Sequence, residues 1–182
     1  MPRCGAKGDG CLALHSRHYC RLCEDKNSNH LSRNCPKGII LYHGTTVDAA
    51  LSIIKEGFKY STDGCWGPGI YFVNDEREAK KIAKHKARLR SRFWAVLECR
   101  VNLGKVYDWS SWEKSPAILK LLESEHKDHD SIKANHFPWA GVRYQFNEYC
   151  VRNHQKCNVL KMQREDGSFS VFGQHFYPVL KS

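Results

Sequence analysis

The stretch from Leu41 to Phe72 constrains this chain more than any other. It is approached through Gly38-Ile39-Ile40-Leu41-Tyr42, a β-branched apolar run after Pro36 that reads as a strand and delivers His43-Gly44-Thr45 at its end. It closes with Gly64, Gly67, Pro68 and Gly69 crowded ahead of Ile70-Tyr71-Phe72-Val73, a second strand. Glycines at that density let a backbone approach a ligand closely or take positive φ. A His-Gly-Thr leaving one strand and a glycine loop entering the next can line one cleft. Between them, Val47, Ala50, Leu51 and Ile54 recur at helical spacing over 47–56. A threonine cap, Asp48 in the first turn and Gly57 just beyond predict where that helix starts and stops.

The rest of the chain alternates in the same way. Phe93 to Val101 reads as a buried strand with Cys99 in the core, and Val106-Tyr107 as an extension of pairing. Pro116 to Ser124 has the spacing of a helix. Tyr144 to Val151 reads as a strand that carries a charge, Glu148, on the side it shares with Phe146 and Cys150. A charge inside such an apolar strand is costly unless it is exposed or functional, and an edge-strand surface glutamate is the plain alternative. Asn158–Met162 and Ser168–Phe172 form a closing pair around an Asp166-Gly167 turn, and Phe176-Tyr177-Pro178 packs as an aromatic tail. The expectation is an α+β fold with a mostly antiparallel sheet.

The first 37 residues differ in composition and form a separate module, with Pro36-Lys37-Gly38 as the boundary to a second domain over 38–182. Cys20-x2-Cys23-x6-His30-x4-Cys35 carries the ligand types of a Cys3His zinc site. The segment has few apolar residues, so a metal would supply the stability that burial cannot. The pattern resembles a zinc knuckle, with six residues where that motif usually has four between its second cysteine and its histidine. Cys4, Cys11, His15 and His18 offer a second ligand set of no recognised spacing; a plain tail is the alternative. Two further groups are weaker metal candidates: Cys150, His154 and Cys157, and His126, Asp128, His129 and Asp130.

Charge points to polyanionic partners. The formal net charge is +10, and positions 77–92 hold eight Lys or Arg against one Glu. That run reads as a helix with Ala79, Ile82, Ala83 and Leu89 on its apolar side. It is either a solvated face or a positive field for a pyrophosphate or RNA. No long apolar run suggests a membrane span and no apolar leader precedes the cysteines, so the expected setting is intracellular and reducing.

His43-Gly44-Thr45-Thr46, the Gly-Phe pair at 57–58, Gly67-Pro68-Gly69-Ile70-Tyr71-Phe72 and the late Asn147-Glu148-Tyr149 together resemble the catalytic domain of poly(ADP-ribose) polymerase-like ADP-ribosyltransferases. The resemblance runs from about Gly38 to Met162. It implies a split-sheet transferase domain that uses NAD. His43, Tyr71 and Glu148 match the family's His-Tyr-Glu triad. By this resemblance His43 binds a ribose hydroxyl, Gly44 holds the nicotinamide amide through its backbone, Thr45 supports the turn and Tyr71 packs on the ring. Glu148 binds the 2′-hydroxyl and stabilises positive charge as the glycosidic bond opens. Two positions depart from the family pattern. Ile82 stands where a second stacking aromatic is usual, and Ala79 where a serine contacts the amide. Single-unit ADP-ribosyl transfer to a protein or nucleic acid is the leading expectation. An inert domain serving as an RNA-binding or signalling module is the rival.

Overall fold

The computed structural model describes residues 18–62, 64, 66–90, 92–109, 127–136 and 146–172. Cys4, Cys11 and His15, the run at 116–124, His126 and the tail at 176–178 lie outside them.

Two strands set the frame. β3 (Ile39–Thr46) pairs along its whole length with β5 (Trp94–Val101), from Ile39 opposite Val101 to Thr46 opposite Trp94. The strand therefore runs straight through His43-Gly44-Thr45. The expectation that these residues leave the strand end is corrected by that ladder. Pairing then extends to an eight-stranded sheet of order β10-β9-β5-β3-β4-β8-β7-β6. Its other strands are β4 (Ile70–Val73), β6 (Val106–Trp109), β7 (Ser131–His136), β8 (Phe146–Val151), β9 (Cys157–Arg164) and β10 (Phe169–Val171). All neighbours are antiparallel except β6 and β7, which run parallel. Val106-Tyr107 thus extends the sheet at its far edge, beside β7.

The sheet is split at its centre. β3 and β4 meet at a single register pair, Tyr42 with Val73. On the far side β4 pairs with β8 at four positions. Two well-paired halves therefore join at a fork, and His43 and Tyr71 stand on its two arms.

The two faces of the sheet are covered differently. Leu41, Phe72, Leu97, Tyr149, Val151 and Met162 form the main core, with α1 (Val47–Glu56) over part of it. Thr46 caps α1 by accepting from the Ala49 N–H, and Gly57 ends it at φ 89°. The opposite face carries α2 (Glu76–Arg90), which buries Ala79, Ile82, Ala83 and Ala87 over Val73, Trp94 and Val96. Leu89 is 69% exposed and is not part of that stripe, which corrects its assignment to the apolar side. Lys80 and Lys84 lie over the Trp94 ring at 5.0 and 5.8 Å, so part of the basic face covers an aromatic instead of facing only solvent.

Gly44 is what lets α2 sit so close. A Cβ there would stand 2.0 Å from the Ala79 carbonyl oxygen. Gly44→Ala should therefore force the helix off the strand and lower unfolding free energy by about 1–3 kcal/mol. Urea titration reads this directly, and an unchanged midpoint would contradict the packing.

The N-terminal segment forms a small hairpin, β1 (His18–Cys20) with β2 (Asp25–Ser28), followed by a 3-10 turn at Ser32–Asn34. It is tied to the large sheet by backbone carbonyls. The Arg21 guanidinium donates to the Cys157 carbonyl at 2.8 Å, and the Asn102 amide donates to the Leu22 carbonyl at 2.5 Å. Arg100 donates to the carbonyls of Gly38 and Cys35 at 3.1 and 3.4 Å. Among the described residues no helix is long and apolar enough to cross a membrane.

Candidate active site

The fork opens into a cleft of about 480 Å³, within the range of small-molecule sites. His43, Gly44, Tyr71, Ile82, Lys86 and Glu148 contribute to its lining. Thr45 is buried opposite Ala95 and does not line it.

His43 lies on the β3 arm. Its Nδ1–H donates to the Tyr71 carbonyl across the fork at 2.7 Å. A carbonyl can only accept, so the neutral ring carries its proton on Nδ1 and Nε2 is an acceptor. The ring edges pack on Phe58 and Phe72 at 5.5 and 5.8 Å between centroids. Burial, helped by the Lys86 charge and opposed by the Tyr71 carbonyl, lowers its pKa to about 3. The imidazole is therefore neutral at any ordinary pH.

That shift has a consequence for stability. The unfolded histidine takes up a proton near pH 6.5, the folded one only near pH 3. The contribution of a neutral His43 is thus complete above about pH 6.5 and falls away as pH drops towards 3. Unfolding midpoints measured from pH 7 to 4 should fall, and His43→Gln should flatten that slope. An equal slope in both proteins would contradict the assignment.

Tyr71 sits on β4, with its ring against the glycine loop. A Cβ on Gly64 would come within 2.1 Å of its hydroxyl end. The hydroxyl accepts from the Trp66 backbone N–H at 2.9 Å and donates to the Gly67 carbonyl. Burial holds the phenol neutral, well above its usual pKa. Opposite Tyr71 in the ladder is Cys150, whose thiol burial pushes up to about 11.

Glu148 lies on β8, a strand paired on both sides, opposite Val73 and Ala134. It is 9% exposed, so it is not an edge-strand surface residue. The Trp66 indole N–H donates to its Oε2 at 3.0 Å. One loop residue thus engages both Tyr71, through its backbone, and Glu148, through its side chain. The site residues come from three strands and meet because β4 pairs with β8 while parting from β3.

Ile82 is 8% exposed and lines the cleft, whereas Ala79 meets Gly44 through its backbone. Two residues were not singled out from the sequence: Lys86, which lines the cleft, and Trp66, which holds Tyr71 and Glu148. Trp66 had a signal, a lone large apolar residue between Gly64 and Gly67. Lys86 was hidden in the basic run, although its spacing from Ile82 and Ala83 puts it on the buried stripe.

A second cluster stands apart from the cleft. The ligand atoms of Cys20, Cys23, His30 and Cys35 all lie within 4.8 Å of one another. Cys23 Sγ is 3.5 Å from His30 Nε2, and His30 Nδ1 meets Asn29 Oδ1 at 3.2 Å. A histidine so held by its other nitrogen is oriented as metal ligands commonly are. Three thiols and one imidazole could hold a metal ion. Among the described residues no other such group occurs, so Cys150, His154 and Cys157 do not form one. The Cys150 and Cys157 thiols instead approach the carbonyls of Trp66 and Asn153.

An α+β domain with a ligand cleft at the fork of a split, mostly antiparallel sheet is the class that fold and site define. The chain belongs to the poly(ADP-ribose) polymerase catalytic domain family, whose model matches residues 15–163. At family level this gives NAD+ as substrate and ADP-ribosyl transfer as activity. No curated protein matches the chain.

Proposed function

We propose that the chain is an NAD-dependent ADP-ribosyltransferase that adds single ADP-ribose units to a protein or nucleic-acid acceptor. The observation that carries this reading is the convergence of His43, Tyr71 and Glu148, from three strands, on one cleft. The neutral His43, with Nε2 as acceptor, takes a ribose hydroxyl proton in a hydrogen bond. The backbone of Gly44 holds the ring amide, with Thr45 supporting it from behind. Tyr71 and Ile82 wall the ring. Glu148 accepts from the 2′-hydroxyl of the nicotinamide ribose and faces the charge that grows on that sugar. The C1′–N bond breaks and nicotinamide leaves with the bonding pair. The acceptor then forms its bond to C1′ and loses a proton. Ile82 in place of a second aromatic gives a smaller stacking platform, which favours one addition over a polymer.

Trp66 acts through Glu148 as a positioning residue. Trp66→Phe keeps the ring and removes the donor to Oε2. A hydrogen bond to a charged group is worth about 1.5–3 kcal/mol, so kcat should fall roughly tenfold or more. KM for NAD+ should stay within about twofold. A rise in KM with unchanged kcat would contradict this role.

Residues 1–37 act as a zinc module in this reading, and 38–182 as the transferase domain. Cys20, Cys23, His30 and Cys35 would hold Zn2+, which supplies structural stability there and no chemistry at the cleft. The basic face of α2 and the module's Arg21 and Arg33 favour RNA or another polyanion in an intracellular setting. The rival is an inert domain used as an RNA-binding or signalling module, and the Lys86 contact on Gly44 favours it. Incubation of the metal-loaded protein with NAD+ labelled in its adenylate, with and without RNA, separates the two. Label on an acceptor as single units supports the transferase. RNA binding without NAD+ binding or label transfer leaves the inert module.

A further inference from the structure

Lys86 stands where the pattern of α2 asks for an apolar side chain. It follows Ile82 by four residues and Ala83 by three, and both of those are buried. Residues at that spacing share a helix face. A lysine on that inner face loses hydration unless a polar partner receives it. Its ammonium donates to the Gly44 carbonyl at 3.0 Å and lines the cleft beside His43 and Ile82. A carbonyl oxygen has two lone pairs, so Gly44 can hold this bond and still accept from a carboxamide N–H. Lys86 therefore leaves the amide its place and sets a positive charge beside it. That charge acts across the cleft: after burial, it is the next cause that keeps the His43 imidazole neutral. Lys59, also in the lining, is paired with Glu56 at 2.9 Å, and Glu148 is held by the Trp66 indole.

We infer that Lys86 destabilises bound NAD+ by charge repulsion and so hastens the departure of nicotinamide. The inference rests on the cleft being the NAD+ site proposed above. With the carboxamide on the Gly44 backbone, the ring that bears it lies next to the Lys86 ammonium. In NAD+ that ring is a pyridinium and carries a positive charge. Like charges this close repel, and more strongly among buried groups than in water. When the C1′–N bond breaks, the bonding pair stays on the ring nitrogen and nicotinamide leaves neutral. Its repulsion with Lys86 then ends, while the positive charge passes to the ribose, on the side of Glu148. Lys86 thus raises the energy of the bound substrate more than that of the transition state, and Glu148 lowers the transition state. The two side chains act from opposite ends of the breaking bond.

Lys86→Met suits the apolar stripe and removes the charge, whereas Lys86→Arg keeps it. In the metal-loaded full chain, calorimetry gives the Kd of NAD+ and of free nicotinamide, and initial rates with labelled NAD+ give kcat. Lys86→Met should bind NAD+ roughly tenfold more tightly and turn over roughly tenfold more slowly, the signature of lost ground-state strain. Its affinity for neutral nicotinamide should change by less than about twofold, because that ring carries no charge. Lys86→Arg should stay near the wild type in each measurement. A Lys86→Met protein that binds NAD+ no more tightly, or turns over no more slowly, overturns the inference; transfer by the wild type then still upholds the transferase reading. NAD+ binding by Lys86→Met but not by the wild type would make the lysine a block and overturn the inference as well. If neither protein binds NAD+, the inference falls together with the reading it rests on.

Discussion

Glu148→Gln should reduce ADP-ribosyl transfer by roughly 10²–10³-fold, the scale for one preorganised group that stabilises charge in the transition state. NAD+ affinity should change by less than about fivefold, because the amide keeps the size of the carboxylate and an oxygen to accept from the Trp66 indole. The split follows from placement. Glu148 is held from below by a strand paired on both sides and from the side by the indole N–H. It is held in place by these contacts, and in the proposed reaction its charge matters most when the ribose becomes cationic. Initial rates with labelled NAD+, beside calorimetric affinities, give both numbers. A variant that keeps half the wild-type rate would remove Glu148 from the chemistry.

Loss of the proposed zinc ligands, Cys20, Cys23, His30 and Cys35, should unfold more than the N-terminal hairpin. Cys35→Ser, or exhaustive chelation, should lower the melting midpoint of the whole domain by about 10 °C, as expected for the loss of a few kcal/mol in a chain of this size. The reason lies in the joints. The backbone carbonyls of Leu22 and Cys35, between and at the four clustered residues, accept from Asn102, just past β5, and from Arg100 on β5, and Arg21 donates to the Cys157 carbonyl on β9. When the turns open, those donors lose their partners together. The Arg100 stem also packs against Gly38, where a Cβ would meet it at 2.5 Å. Thermal melts with and without chelator, followed by zinc re-addition, read the effect. A small separate transition with the main one unmoved would mean the module folds on its own.

Much of the centre of this molecule was legible in its sequence because local rules act there without competition. Thr46, the apolar spacing of 47–56 and Gly57 place α1 to the residue. Alternation in 146–151 puts Glu148 on the face it shares with Cys150, and cysteine and histidine spacing selects the four residues that gather. What escaped depends on partners distant in sequence. The course of β3 through His43-Gly44-Thr45 is imposed by β5, some fifty residues later, so a local strand end at Tyr42 was misleading. The fork exists because β4 finds β8 and touches β3 once, which no local pattern records. Leu89 had the right chemistry for the stripe but falls on the outer side near the helix end, while Lys86 had the wrong chemistry and falls inside. Charge composition hid Lys86, since one lysine among eight basic residues shows no difference until the helix is docked. Trp66 needed the loop path that brings its indole to Glu148.

The fork between β3 and β4 is the proposed NAD+ site, and a crystal structure of the metal-loaded protein soaked with NAD+ tests that most directly. The predicted result is a dinucleotide in the fork, its ring between Tyr71 and Ile82, a ribose hydroxyl on His43 and the nicotinamide ribose facing Glu148. An empty fork at saturating NAD+, or the dinucleotide in the neighbouring cavity of about 290 Å³ lined by Tyr19, Arg21 and His154, would contradict it.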